Sequence, residues 1–91
     1  MTCNPYIKVL GKRWSMPIIK ELYHADTLGF MELKRRLNNV TPKMLSQRLK
    51  ELSEHQILRK KDAENPKRTN YYLTNKGWHT YYIINKLTKI K

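Results

Sequence analysis

Three hydrogen-bonding side chains, Lys43, Gln47 and Lys50, follow one another at spacings of four and three residues. On an α-helix these spacings place all three on one face, and Ser46 flanks that face. A lysine ammonium can donate to a phosphate or a guanine edge, and a glutamine amide can make two hydrogen bonds to an adenine edge. The pattern therefore predicts a helix face that contacts the major groove of double-stranded DNA. An ordinary solvated helix face is the alternative.

Basic side chains also crowd a later polar segment, in which Asp62 and Glu64 are the only acids. They are Arg59, Lys60, Lys61, Lys67 and Arg68. Such charges suit phosphate oxygens or the adjacent minor groove, and we select all but Lys60 as candidate DNA contacts. A polar hairpin that only keeps the protein soluble is the alternative. Lys12 and Arg13, near the start of a helix, are further candidates for phosphate contact.

The charge of the chain supports a polyanionic partner. Nineteen Lys and Arg residues face seven Asp and Glu residues, for a net charge of +12 over 91 residues. Such a surplus repels itself, and nucleic acid is the usual partner that relieves the repulsion. A membrane partner is disfavoured because the basic residues are spread along the chain rather than gathered beside an amphipathic anchor.

Other chemistries find little support in the residue types. Cys3 is the only cysteine, which excludes an internal disulfide and a multi-cysteine metal site. The three histidines are far apart, and the three glycines form no phosphate-binding loop. We therefore expect no enzyme, no metal and no cofactor. The first residues lack a signal-like apolar run, so we expect a cytoplasmic, nucleoid-associated protein.

The helix that carries Lys43, Gln47 and Lys50 has clear sequence limits. Thr41 is a good cap and Pro42 suits the first helical position, so the helix is predicted over about 41–54. Its apolar residues recur at helical spacing and predict a buried face; they are Leu45, Leu49 and Leu52. Asn38 and Asn39 predict the turn that joins it to a preceding short helix.

The remaining elements complete a recognisable order. One helix is predicted from Asn4 to about Leu10, and another from residues 13–15 to about His24. Strands follow near residue 57 and over residues 69–74, and Thr74 caps a last helix. The order is α-α-(short β)-α-α-β-β-α. The predicted fold is a single winged helix-turn-helix domain over residues 1–91, mainly α with a small β-hairpin (α+β), whose wing covers about 59–69.

The last helix carries two apolar stripes. Ile83, Leu87 and Ile90 form one stripe, and the aromatic side chains of Trp78, Tyr81 and Tyr82 form the other. A monomer of this size can hardly cover both, so one stripe should pack on the core and the other on a second subunit. We select the aromatic stripe as the dimer contact. A helix folded entirely into its own domain is the alternative.

Several segments jointly resemble the HxlR-type branch of winged-helix regulators. They are residues 11–14 (GKRW), 41–52 (TPKMLSQRLKEL) and the Y-x-L-T-x-x-G pattern over residues 71–77. The resemblance implies a homodimer joined through its terminal helices that binds a palindromic or repeated operator. It also implies a cysteine near the first helix that senses oxidants or electrophiles in some members, which makes Cys3 a candidate redox sensor. Here Asn4 separates Cys3 from Pro5, whereas the family usually has Cys directly before Pro.

Together these observations predict a homodimeric, sequence-specific double-stranded DNA-binding transcription regulator, with repression as the expected mode. No small-molecule effector is identified. A nonspecific architectural DNA-binding protein and a basic RNA-binding protein are the alternatives, because a charge of +12 would serve either. A winged helix used purely for protein interaction would need an exposed apolar patch on the helix over 41–54, where the sequence is polar.

Overall fold

A computed structural model describes residues 5–61 and 70–89, with side chains for residues 7–61 and 70–87. The chain forms α1 (Pro5–Leu10), α2 (Ser15–Ala25), β1 (Thr27–Gly29), α3 (Phe30–Leu37), α4 (Pro42–Glu54), β2 (Leu58–Lys61), β3 (Asn70–Leu73) and α5 (Asn75–Lys89). The predicted element order is confirmed, and the fold is mostly helical with a small antiparallel sheet, a winged helix-turn-helix.

The sheet has three strands in the order β1-β3-β2, and both pairings are antiparallel. In the centre, Tyr71 of β3 lies opposite Leu28 of β1 on one side and Lys60 of β2 on the other. The tip that joins β2 to β3, residues 62–69, lies outside the described residues, and with it the wing candidates Lys67 and Arg68.

Helix α4 begins and packs as its sequence predicts. Thr41 has extended backbone angles, and its Oγ1 accepts a hydrogen bond from the backbone N–H of Met44 at 3.1 Å. Leu45, Leu49 and Leu52 are all buried in the core, which confirms the predicted inward face. The turn before the helix contains Asn38 at φ 68° and ψ −68°, a γ-turn conformation in which the backbone N–H of Asn39 donates to the Leu37 carbonyl at 2.7 Å.

The connection between α1 and α2 is held by a side chain. Ser15, the first residue of α2, is fully buried, and its hydroxyl donates to the backbone carbonyl of Val9 at 2.6 Å. Trp14 just before it has φ 78°, which a bulky residue adopts only where its surroundings hold it. The turn between the two helices is therefore fastened from within the core.

Helix α5 begins against the start of β2. The backbone N–H of Gly77 donates to the Thr74 hydroxyl at 3.1 Å, and that hydroxyl donates to the carbonyl of Gln56 at 2.6 Å. A Cβ on Gly77 would lie 2.1 Å from the carbonyl oxygen of Ile57. Glycine is therefore required here by close backbone approach, which gives a physical reason for the glycine in the Y-x-L-T-x-x-G pattern.

None of the helices in the described ranges is long and apolar enough to span a bilayer.

Candidate nucleic-acid interface

The predicted contact residues of α4 share one exposed surface. The side chains of Lys43, Ser46, Gln47 and Lys50 all face solvent, while the leucines of the same helix are buried. We call these four residues the α4 polar face. It consists of hydrogen-bond donors and hydroxyl or amide acceptors on a helix of 13 residues, and the major groove of B-DNA is wide enough to admit an α-helix.

Beneath this face lies a charged residue that the sequence pattern did not indicate. Arg48 is only 8% exposed; its Nε donates to the backbone carbonyl of Arg13 at 2.9 Å, and its Nη1 donates to Glu51 at 2.6 Å. Apolar periodicity treats arginine as a surface residue, although position 48 lies on the leucine side of the helix. Arg48 fastens the turn before α2 to the inner side of α4.

Glu51 is the acid at the centre of this contact. It accepts from Lys12 Nζ at 2.7 Å as well as from Arg48. The Lys12 ammonium, followed by the Arg48 guanidinium, holds the pKa of Glu51 below its usual range and outweighs burial, which acts in the opposite direction. The charge of Lys12 is thus partly neutralised within the protein, whereas Arg13 is exposed, with its guanidinium 5.4 Å from the Trp14 ring centre.

The basic residues of β2 do not share one face. Arg59 pairs with Tyr72 and Lys61 with Asn70, whereas Lys60 pairs with Tyr71. Because side chains alternate across a strand, Arg59 and Lys61 lie on one face of the sheet and Lys60 on the other. Buried Leu58, two residues before Lys60, was the sequence signal that could have assigned these faces.

The aromatic stripe of α5 is divided by the structure. Trp78 and Tyr82 are 44% and 41% exposed, and their rings stack with centres 5.8 Å apart. Tyr81 is instead buried in the core, 4.5 Å from the ring centre of Tyr23. The selection of Tyr81 as a dimer contact is therefore corrected, because α2 of the same chain already covers its ring.

The aliphatic stripe of α5 is also exposed. Ile83 and Leu87 face solvent, while Ile90 lies outside the described residues. An α5 folded entirely into its own domain is thus ruled out for the described part of the helix. We call Trp78, Tyr82, Ile83 and Leu87 the α5 apolar face. At 100° per residue they form two exposed stripes, with exposed His79 and Lys86 between them. So many exposed apolar side chains on one helix are typical of a surface that binds a partner.

Two further expectations concern metal and thiol chemistry. In residues 5–61 and 70–89, no group of three or more His, Cys, Asp or Glu side chains could hold a metal ion. Cys3 lies outside that part of the chain, so its role as a redox sensor stays a prediction.

The pair α3 and α4 joined by a tight turn, the exposed polar face of α4 and the antiparallel pair β2 and β3 define a winged helix-turn-helix fold. The model of the HxlR-like helix-turn-helix family matches residues 9–91, and the chain belongs to that family.

Individual relatives agree with this assignment. The chain is 39% identical over 87 residues to a Fusobacterium mortiferum protein that carries the name regulatory protein MalR, covering 91% of this chain and 79% of that protein. It is 32% identical over 84 residues to the uncharacterized HTH-type transcriptional regulator YdzF of Bacillus subtilis strain 168, covering 91% and 77%. The structure of the reduced form of the B. subtilis transcriptional regulator YodB matches with a TM-score of 0.82 at 28% identity, covering 97% of this chain and 89% of that one.

The family and these relatives consist of transcription regulators rather than enzymes. The chain is therefore a helix-turn-helix transcription regulator, and the expectation that it is not an enzyme is confirmed.

Proposed function

We propose that this protein is a sequence-specific double-stranded DNA-binding transcription repressor that acts as a homodimer. The observation that carries the proposal is the α4 polar face, where exposed donors stand on a helix anchored from below by leucines and by Arg48. A rigid base matters because base-edge hydrogen bonds need donors held in register with the groove.

Each candidate residue has a role set by its chemistry. Gln47 contacts a base edge in the major groove, while Lys43, Ser46 and Lys50 contact bases or phosphates beside it. The remaining basic candidates contact the sugar-phosphate backbone and give nonspecific affinity; they are Lys12, Arg13, Arg59, Lys61, Lys67 and Arg68. Of these, Lys12 contributes least, because its ammonium already pairs with Glu51.

The second copy of the chain binds the α5 apolar face. Trp78, Tyr82, Ile83 and Leu87 offer aromatic and aliphatic side chains of the kind that dominate the centres of homodimer interfaces. Ile7 of α1, 62% exposed, is a further apolar side chain for this contact. A dimer of this kind places its two α4 helices on half-sites about 34–36 Å apart, one turn of the duplex.

Binding to a random pool of duplexes tests the proposal. The purified protein, incubated with excess nonspecific competitor, should enrich a motif with two-fold symmetry or a direct repeat. Lys43→Ala should weaken binding to the enriched duplex, whereas Lys20→Ala on α2 removes the same charge away from α4 and should bind as the wild type does.

Two other outcomes would replace this function. Enrichment without any motif would favour the nonspecific architectural role that the net charge of +12 could serve. Tighter binding to folded RNA than to duplex DNA under the same competitor would favour an RNA-binding protein.

Regulation through Cys3 is part of the same proposal. The relative YodB has been solved in quinone-bound and diamide-treated forms as well as reduced. In this chain Cys3 precedes α1, and basic residues such as Lys8 nearby in sequence would favour the thiolate. We propose that oxidants or quinones modify Cys3 and change the affinity for the operator.

A further inference from the structure

A cleft separates the second half of α4 from the base of the β-hairpin. It has a volume of about 410 Å³ and is open to solvent along one side. Its polar lining comes from Ser46, Lys50, Ser53, Glu54, Lys60 and Tyr71. Ser46 and Lys50 also belong to the α4 polar face, whereas Ser53, Glu54, Lys60 and Tyr71 were not among the candidate DNA contacts.

Two independent periodicities place donors on its opposite walls. On α4, Ser46, Lys50 and Ser53 recur at spacings of four and three residues and form one stripe. On β2, Lys60 lies two residues beyond buried Leu58 and directly opposite Tyr71, so it faces the helix rather than the outer side of the sheet. The helix wall and the sheet wall therefore each present one ammonium to the same space.

These ammonium groups are not neutralised within the part of the chain that the structure describes. Neither Lys50 nor Lys60 forms an ion pair there, whereas Lys12, Arg36 and Arg48 each have an acidic partner. Glu54 is the one acid among the cleft residues, so two positive charges face one negative charge. The cleft residues therefore carry a net positive charge, which attracts an anion.

The hydroxyl groups of the cleft complete a donor set suited to oxygen. Ser46 and Ser53 present hydroxyls from the helix, and Tyr71 presents a phenol from the sheet. The phenol of Tyr71 is protonated at neutral pH and can donate, and burial raises its pKa further. Ammonium and hydroxyl donors that converge from two walls are the groups that proteins use for backbone phosphates.

We propose that this cleft binds one phosphate of the DNA backbone in each half-site, and that Lys60 is the wing residue that binds it together with Lys50. The proposal rests on the proposed function and deepens it, because it assigns a positioning role within the DNA interface. A phosphate held between helix and hairpin sets the depth and register of α4 in the groove, so that Gln47 meets one base pair consistently. Lys60 is thus a positioning residue, and its neighbours Arg59 and Lys61, on the other face of the sheet, bind elsewhere.

Neutralised phosphates give the direct test. In duplexes of the motif enriched by the wild-type protein, single methylphosphonates would replace one phosphate at a time. Wild-type protein should lose affinity at one cleft phosphate in each half-site. Lys60→Ala should weaken binding to the unmodified duplex by about five- to tenfold at 0.1 M salt and lower the salt slope by about one. It should also lose most of its sensitivity to the methylphosphonate at that position, with Lys50 accounting for what remains.

Matched variants make this test specific. Lys61→Ala removes an equal charge from the adjacent residue and should keep full sensitivity at the cleft phosphate, whatever it does to total affinity. Lys20→Ala should keep both affinity and sensitivity. Lys60→Arg should retain most of the contact, and Glu54→Gln, which removes the acid from the cleft, should tighten binding by a few-fold. Unchanged thermal unfolding of Lys60→Ala would verify its fold, since Lys60 is exposed.

The results separate the two proposals. If Gln47→Ala relaxes the selected motif while Lys60→Ala keeps the wild-type methylphosphonate profile, the phosphate site is wrong and the proposed function stands. The site is equally wrong if Lys61→Ala, but not Lys60→Ala, loses sensitivity at the cleft phosphate. If the wild-type protein selects no duplex, both proposals fail together.

Discussion

Helices α4 and α5 are built alike on their inner sides and differently on their outer sides. Each buries one face in the same core, through Leu45, Leu49 and Leu52 on α4 and through Tyr81 on α5. The free side of α4 carries ammonium, amide and hydroxyl groups, whereas that of α5 carries large aromatic and aliphatic groups beside exposed His79 and Lys86. A polar face can exchange water for base edges and phosphates, but an apolar face gains only by leaving water. This contrast is the basis for the two proposed interactions, with DNA at α4 and with a second copy at α5.

The two helices also differ in how they are anchored. Helix α4 is fastened along its inner side by Arg48 and Glu51, which reach the turn before α2. Helix α5 is fastened at its beginning by Thr74 and Gly77, and the side chains of Ile83 and Leu87 further along it are exposed. We expect α4 to hold its position by itself and α5 to need a partner over its later turns.

The largest effect should come from breaking the anchor of α5. Gly77→Ala would bring a Cβ to 2.1 Å from the Ile57 carbonyl oxygen, so the start of α5 must move away from β2. Overpacking against rigid backbone should cost about 3 kcal/mol of unfolding free energy, measured by urea denaturation. Gly11→Ala is the control, because its Cβ would meet only atoms at 3.7 Å. Equal stabilities of the two variants would contradict the close approach.

The next effect comes from giving α5 a polar face like that of α4. The double substitution Trp78→Ser and Tyr82→Ser removes the stacked ring pair from the apolar face. Truncating two aromatic anchors of an interface should cost about 2–4 kcal/mol of association, so sedimentation velocity should show monomer where the wild type is a dimer at micromolar concentration. Met31→Ser on α3, equally apolar and 61% exposed, should leave the dimer intact. If the wild-type protein is a monomer at micromolar concentration, the proposed homodimer is wrong.

A smaller effect should follow from loosening the base of α4. The pKa of Glu51 is lower in the folded protein than its ordinary value, so its ion pairs add stability above the unfolded pKa. That contribution is lost as the pH falls through the folded pKa. Glu51→Gln should therefore destabilise the protein at pH 7 and flatten the dependence of stability on pH in the acid range. Thermal unfolding between pH 3 and pH 7 measures this dependence, and Glu54→Gln, at an exposed position, is the control. If Glu51→Gln and the wild type have the same stability at every pH, the ion pairs of Glu51 contribute no stability.

The smallest expected effect is a change in operator affinity that depends on modification of Cys3. Treatment with diamide or a quinone should change operator affinity in the wild type and leave Cys3→Ser unaffected, because the thiolate is the reactive form. Binding titrations before and after treatment measure the difference. An identical response of the two proteins would show that Cys3 is no switch.

Helix α4 was predictable because local signals determine where it begins and which face it buries. Thr41 and Pro42 mark its start, and three leucines at helical spacing set its inner face, all within 12 residues. Thr74 and the alternation over residues 69–74 similarly predicted β3 and the start of α5. Where capping residues and apolar periodicity agree, they determine the bounds and the buried face of a helix before tertiary packing is considered.

The features that the sequence did not predict depend on contacts with distant segments. Arg48 can be buried only because the Arg13 carbonyl and Glu51 lie within reach. Trp78 and Tyr81 are three residues apart on α5 and both contact Tyr23 of α2, yet only Tyr81 is buried, which depends on how α5 packs against the other elements. Composition and spacing within one element do not contain this information. The facing of Lys60, by contrast, could have been predicted from its alternation with apolar Leu58 within β2.

The sequence preference of Gln47→Ala tests the central claim most directly, namely that the α4 polar face reads bases. A glutamine that makes two hydrogen bonds to a base edge is worth about 1–3 kcal/mol of discrimination at that position. Selection from random duplexes should therefore give a Gln47→Ala motif that has lost its preference at one position in each half-site, with affinity for nonspecific DNA nearly unchanged. An enriched motif identical to that of the wild type would contradict the account, because the exposed face of α4 would then contribute charge without reading sequence.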